Sequence, residues 1–325
     1  MPWLTLLLLL AGFAILIKGA DFLVNGASSA AKKFGISNIA IGLTVVSFGT
    51  SAPELLISLF SAIHGNSDAS FGNVIGSNNF NLLCILGISG LIYPLVVQRN
   101  TVKYEVPISL LAAGVLFVVV NDELIWSQAE SKLTRIDSLI LLAFFALFMA
   151  YIYRTMKSSS DYNEEVAIKL YRTPVAIGLS VLGIVMLIGG GKLVVDNAVQ
   201  LAEHYGLSQK LIGLTILAAG TSLPELATSA VAAYRKNTDI AIGNVIGSNI
   251  FNIFFILGIT GLVNPIHYNT ALNFDMKILG TSTVVLMVFM FTLNTRKLDR
   301  WEALLLLLGY LIYTIFLIGM EATPA

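Results

Sequence analysis

Two glutamates, Glu54 and Glu225, occupy matched contexts, GTSAPE (residues 49–54) and GTSLPE (residues 220–225), each flanked by apolar runs. A carboxylate at the centre of a lipid-spanning helix costs roughly 3 kcal/mol. Each glutamate therefore needs a cation, a proton or a polar cavity. Ser47, Thr50, Ser51, Glu54 and Ser58 follow one another at steps of three, one, three and four residues, which places them along one helical face. Pro53 has no N–H, so the Gly49 carbonyl loses its helical partner. The second context repeats this with Ala218, Gly220, Thr221, Ser222, Pro224 and Glu225. Two further segments, GNVIGSNNFN and GNVIGSNIFN, place Asn73, Ser77 and Asn81, and then Asn244, Ser248 and Asn252, at every fourth residue. Their glycines, Gly72, Gly76, Gly243 and Gly247, are expected to let helices approach closely.

Brought together, the four segments make a cage of oxygens: two carboxylates, several hydroxyls, amide oxygens and loosened carbonyls. No histidine or cysteine joins it. Such a donor set suits hard cations, since calcium takes about 6–8 oxygens in flexible geometry while softer metals want sulfur or imidazole. Two carboxylates carry a formal charge of −2, which one divalent ion, two monovalent ions or two protons would neutralise. That equivalence suits an exchanger: an occupied, neutral core can cross between two states, and an empty charged one resists.

The elements that must hold these groups are membrane helices. Of 325 residues, 56% are hydrophobic and 12% charged, against about 25% charged in soluble domains. Zero formal net charge argues against nucleic acid as a partner. Apolar runs give ten candidate spans, at about 3–25, 37–62, 69–93, 104–121, 136–154, 173–200, 209–233, 239–263, 274–294 and 301–320. The first run lacks a basic leader region and a cleavage site, so it is read as an uncleaved span. With the N-terminus outside, inside loops carry 13 lysines and arginines and outside loops carry 4. This bias fits the positive-inside rule with both termini outside.

The chain is also two copies of one plan. Residues 35–94 and 206–265 align without a gap and share 32 of 60 identities. The division expected is a five-helix repeat over 1–155 (its motif at about 37–93), a cytoplasmic linker over 156–172, and a second repeat over 173–325 (its motif at about 208–264). Five spans is an odd number, so the second copy enters the membrane from the opposite side. The predicted fold is thus an all-α polytopic membrane protein: ten transmembrane helices as two inverted-topology repeats, with broken helices at the midplane.

The motifs GTSAPE with GNVIGSNNFN, and GTSLPE with GNVIGSNIFN, resemble the two alpha repeats of the sodium/calcium exchanger family, within the cation/calcium antiporter superfamily. The compact form resembles microbial members. The resemblance implies an eight-helix core around the ions and a more loosely attached helix pair that slides against it. Carried over to this chain, the ligands it implies are the side chains of Thr50, Ser51, Glu54, Ser77, Asn81, Thr221, Ser222, Glu225, Ser248 and Asn252, with the carbonyls of Ser47 and Ala218. It also implies exchange of about three sodium ions for one calcium ion at overlapping ligands. Potassium-moving members carry aspartate where this chain has Asn252, so no potassium requirement is expected. The short linker leaves no room for the calcium-sensing domains of animal exchangers.

The expected function is secondary active antiport of sodium against calcium in the cell membrane, in the direction of calcium extrusion. Proton-driven calcium or cation exchange is the alternative, and a cation channel is a further class. Neither paired protease aspartates nor HExxH is present, so an enzyme is not expected. No cofactor and no protein partner are implied; the partners are sodium, calcium or protons, and the lipid bilayer. Remaining polar residues receive simpler readings. Asp68 and Asp239 are expected to cap helices. Lys18, Asp21, Asn25, Lys192 and Asp196 are expected to pair near the interface. Cys84 reads as a small core residue, and His64, His204 and His267 have no metal-ligand spacing.

Overall fold

The computed structural model describes residues 2–126, 130–155, 169–205, 218–292 and 296–322. These residues are overwhelmingly helical. In chain order the helices are α1 (Pro2–Phe34), α2 (Asn38–Thr50), α3 (Ala52–Ile63), α4 (Ser67–Ile92), α5 (Thr101–Val120), α6 (Asp122–Trp126), α7 (Arg135–Thr155), α8 (Thr173–His204), α9 (Ala218–Gly220), α10 (Leu223–Tyr234), α11 (Thr238–Val263), α12 (Thr270–Phe289) and α13 (Arg300–Ala322). Among the described residues eight helices are long and apolar enough to cross a membrane, and the bent pair α2 and α3 brings the number to nine. Of the seventh expected span, 209–233, only α9 and α10 are described. Most of the linker and the opening of the second motif, with Lys157 and Lys210, also lie outside the described residues.

Spans differ in how much they face lipid. The apolar stretch of α11 is 94% buried and that of α4 is 78% buried, against 22% for α7 and α13. The two helices carrying the GNVIGSN segments are therefore the centre of the molecule, and the others surround them. Short side chains permit this. A Cβ on Gly247 would lie 2.7 Å from the Leu43 Cα, and one on Gly243 would lie 2.9 Å from the Ile39 carbonyl oxygen. Either would force α11 away from α2. Gly72 and Gly76 show no such neighbour within 4 Å among the described residues.

Helices α1 and α8 run past the lengths read from hydropathy, 33 and 32 residues in all. They pack chiefly against each other. A stripe of small residues at every seventh position makes the seam: Gly12, Gly19 and Gly26 face Ala176, Gly183 and Gly190. A Cβ on Gly183 would meet the Leu23 backbone nitrogen at 2.6 Å.

Two short antiparallel ribbons tie the ends of the spans. Leu95–Val96 pairs with Lys297–Leu298, and Lys132–Leu133 pairs with Ile266–His267. The first ribbon joins two loops expected inside, the second two loops expected outside.

One expectation is corrected. Asp68 and Asp239 do not cap their helices. Asn66 and Asn237 do, accepting from the amides of Ala69 and Ile240 at 3.3 and 3.2 Å. Both aspartates lie in the first turn, where a carboxylate still favours the helix dipole, and accept instead from Asn269 and Gln98 at 3.3 and 2.7 Å. Cys84 is buried and free. Lys18 pairs with Asp21 at 3.6 Å and Lys192 with Asp196 at 3.0 Å. His267 lies 3.6 Å from Glu130, and His64 bonds the Phe60 carbonyl of its own helix.

Candidate functional site

Both glutamates stand one residue past a proline at the start of a helix, directly after a break. Ser51 ends α2 at φ −83°, ψ 10°, and Ser222 opens α10 at φ −89°, ψ 9°. This sparsely populated bridge conformation recurs at functional sites. Proline supplies no N–H and favours the first helical turn, so the chain stops, bends 48° between α2 and α3, and restarts. Glu54 and Glu225 then project from first turns, fully or almost fully buried at 0% and 1% exposure.

Each carboxylate is met by a serine from the other half of the chain. Ser222 Oγ donates to Glu54 Oε1 at 3.0 Å, and Ser51 Oγ donates to Glu225 Oε1 at 2.7 Å. Ser51 Oγ also lies 3.0 Å from Ser248 Oγ. The second oxygens, Glu54 Oε2 and Glu225 Oε2, have no hydrogen-bond partner among the described residues. The same is true of Asn81 Oδ1, Asn252 Oδ1 and Ser77 Oγ. Asn79 Oδ1 is a sixth such atom in these segments; a buried unpaired acceptor costs about 1–3 kcal/mol, more when charged, so the set marks a place built for something that donates charge or protons.

The asparagines explain how those oxygens are aimed. Asn81 and Asn252 lie in wide π turns, Phe80–Ile85 and Phe251–Leu257, inside α4 and α11. Such turns are rare and cluster at functional sites. Asn81 Nδ2 donates to Asn249 Oδ1 at 3.0 Å, and Asn252 Nδ2 donates to Asn78 Oδ1 at 2.9 Å. With its NH₂ held, each amide must turn its oxygen the other way. Asn78 and Asn249 are fixed in turn, each donating to the other's backbone carbonyl at 3.2 Å. The turn holding Asn81 packs against α10, and the turn holding Asn252 packs against α3. Each amide is thereby set beside a glutamate helix.

Asn73 and Asn244 act differently from Ser77 and Asn81. Asn73 Nδ2 donates to the Glu54 carbonyl at 3.2 Å and to Ser58 Oγ at 2.9 Å; Asn244 does the same to Glu225 and Ser229 at 3.2 and 2.9 Å. They fasten each glutamate's helix to the next span. Their oxygens accept from the opposite half, from Thr221 at 3.4 Å and Thr50 at 3.0 Å. Ser58, expected on the cage face, serves this clamp. The Ser47 carbonyl, expected to be loose, accepts the Ser51 amide at 3.0 Å and lies 3.3 Å from Thr50 Oγ1; one lone pair stays available. Ala218 begins α9, after the break in description.

Of the twelve expected site residues, the structure joins the side chains of Ser51, Glu225 and Ser248 in one bonded group and those of Ser222 and Glu54 in another, with Thr50, Thr221, Asn81 and Asn252 on the same four segments. Ser77 is buried with its hydroxyl unpartnered. Sequence reading missed Asn78 and Asn249. Both lie inside the quoted GSN motifs, but they fall off the four-residue stripe that picked out Asn81 and Asn252. Among the described residues no group of three His, Cys, Asp or Glu is placed to hold a metal ion, so any ion here would meet two carboxylates and otherwise neutral oxygens.

Known proteins resemble this chain in sequence and in fold. The family model for sodium/calcium exchanger proteins matches residues 4–154 and 175–319. A putative antiporter, CaxA, from Alkalimonas amylolytica is 36% identical, covering 94% of this chain and 95% of that protein. The sodium/calcium exchanger MaX1 of Methanosarcina acetivorans is 32% identical over 96% of this chain and 97% of its own length. Among solved structures, the sodium-calcium exchanger NCX_Mj, from crystals soaked with Na⁺ and Sr²⁺, superposes with a TM-score of 0.82 at 31% identity, covering 96% of this chain and 98% of that one.

Proposed function

The chain belongs to the sodium/calcium exchanger family, and from that premise we propose that it is a secondary active antiporter that takes up sodium in exchange for extruded calcium across the cell membrane, without need of potassium. One observation carries the reading: buried oxygens of Glu54, Glu225, Asn81 and Asn252 without a hydrogen-bond partner among the described residues come in matched pairs from both halves, each on a side chain whose other polar atom is bonded. Calcium neutralises the two carboxylates and gathers neutral oxygens around itself. Sodium ions, smaller in charge, use overlapping members of the same set. Neither cargo needs to bind while the other is present, and that competition is what couples their flows.

In this reading the chain forms two five-span halves of opposite orientation, joined by the inside linker, with both termini outside. The ligands are Ser47, Thr50, Ser51, Glu54, Ser77, Asn81, Ala218, Thr221, Ser222, Glu225, Ser248 and Asn252. Alternating access arises as the helix pair α1 and α8 moves over the core that holds them. Its separate glycine seam supports this, because the pair stays intact while its fewer contacts with the core change. Independence from potassium is supported by the amide chemistry at position 252: the Nδ2 of Asn252 is committed to Asn78, a bond that aspartate could not donate.

The test is radioactive calcium uptake by proteoliposomes loaded with sodium and diluted into sodium-free buffer, with and without potassium, beside vesicles carrying only a pH gradient. Uptake that requires internal sodium, ignores potassium and collapses with a sodium ionophore is expected. Uptake driven by the pH gradient alone would replace sodium with protons as the coupling ion, which a two-carboxylate site also accommodates. Flux without any counter-gradient coupling would mean a channel.

A further inference from the structure

A cavity of about 460 Å³ lies apart from the ion site, lined by Arg99, Val102, Lys103, Phe291 and Arg296. It lies beside the ribbon of Leu95–Val96 and Lys297–Leu298, between the start of α5 and the end of α12. Three of its five lining residues are cationic; all three are exposed, and because the cavity surface is almost wholly apolar they line it with their aliphatic stems and carry their charges outside it. Among the described residues none of them forms an ion pair. The acids nearby are committed elsewhere: Asp299 pairs with Lys297 at 2.7 Å, Glu302 accepts from Thr292 and the Asp299 amide, and Glu105 accepts from Tyr151 at 2.5 Å.

The remaining wall is apolar. Val102 is buried beneath the cavity, while Phe291 is 64% exposed at its mouth. Trp301, 43% exposed and 5.7 Å from the Phe289 ring, lies at the same end of the spans. Aromatic side chains of this kind sit at headgroup depth. Arg296 is held in place by its backbone: its N–H donates to the Met290 carbonyl and its carbonyl accepts the Val97 amide, both at 2.8 Å. Its φ of +66° is the left-handed region that residues with side chains rarely adopt. The fold thus tolerates strain at the residue that closes the cationic triangle.

We propose that this cavity takes an acyl chain of an anionic phospholipid, against Val102, Phe291 and the stems of the three cations, with the phosphate at its mouth within reach of Arg99, Lys103 and Arg296. Arginine's planar fork matches phosphate oxygens, and lysine adds a point charge. Charge selects the ligand; the apolar wall at membrane depth selects a lipid over a soluble anion. Because one cation comes from the α5 side and another from the far strand of the ribbon, the bound lipid bridges the two halves of the chain.

The experiment is lipid titration of the delipidated full-length protein in detergent, read by native mass spectrometry, with phosphatidylglycerol and phosphatidylcholine of equal chain length. Phosphatidylglycerol is expected to bind and phosphatidylcholine to bind far less. Each cation neutralised to glutamine lowers affinity about fivefold, and R99Q/K103Q/R296Q together about a hundredfold. The charge-preserving R99K/R296K is expected to lose less affinity than R99Q/R296Q, because the charge stays while the fork is lost, which separates lost charge from lost fold. K132Q/K277Q, at the other end of the spans, leaves binding unchanged. Equal binding of the two lipids, or undiminished binding by a folded triple variant, overturns the proposal. So does displacement by equimolar inorganic phosphate, which would assign the cations to a soluble anion. The readout is lipid mass, so it stands whether or not calcium transport is observed.

Discussion

The two halves of the ion cage hold nearly the same residues at the same offset, Ala218 standing where the first half has Ser47, yet they are not bonded alike. Glu225 is met by Ser51 at 2.7 Å, and Ser51 also reaches Ser248 at 3.0 Å. The counterpart, Ser222, meets Glu54 at 3.0 Å, and the residue matching Ser248, Ser77, has no partner among the described residues. Thr50 approaches Asn244 at 3.0 Å where Thr221 is 3.4 Å from Asn73. The difference continues outward. At the end of α10, Arg235 donates to Asn25 at 2.7 Å and also bonds Asp21, and Asn237 reaches Ser28 at 2.9 Å, tying α1 to the core. At the equivalent place in the first half stands His64, which among the described residues bonds its own helix, and Lys192 pairs with Asp196 within α8. A repeated sequence can present one face tight and the other loose, and an exchanger needs such unequal states to open to one side at a time.

The comparison can be broken at its centre. E54Q or E225Q removes one of two buried carboxylates while keeping shape, and calcium uptake is expected to fall by roughly a hundredfold or more, with membrane insertion unchanged. Substantial transport by both variants would remove these residues from the site. Next in size are the asparagines that aim the free amide oxygens. N78A and N249A are expected to weaken calcium binding by about 10–100-fold, as loss of an orienting partner does in metal sites. Calcium titration of the purified variants checks this; unchanged affinity would show that Asn81 and Asn252 need no support.

The inequality itself is sharpened by the serines. S51A deletes contacts to both Glu225 and Ser248 and is expected to cost about tenfold in calcium affinity, while S222A costs about threefold. Equal losses would mean that the two halves are energetically alike despite their geometry. The smallest effect lies at the periphery. Arg235 is partly exposed, and exposed ion pairs contribute little. In R235Q, amide hydrogen exchange near Asp21 and Asn25 is expected to quicken less than about fivefold, with no change at the other end of α1. K192Q should alter neither end.

Much of this protein was legible in its residues one at a time. Low charge and long apolar runs imply membrane helices, because hydropathy is a local property that no neighbour cancels. Identity between residues 35–94 and 206–265 reveals the repeat without any coordinates. Pro53 and Pro224 announce the breaks, since a missing N–H acts wherever the chain goes. Glu54 and Glu225 announce the chemistry, because a carboxylate is too costly in lipid to be idle. Tertiary structure decided what depends on distant partners. Ser51 meets Glu225 across 174 residues, and Asn81 meets Asn249 across 168; no spacing rule reaches that far. Asn78 and Asn249 lie off the four-residue stripe that picks out Asn81 and Asn252, and their role appears only where the two halves meet. Asn66 and Asn237 win the capping positions by backbone geometry. The unequal halves, finally, arise from packing: nearly identical segments meet different neighbours, and hydrogen bonds follow the neighbours.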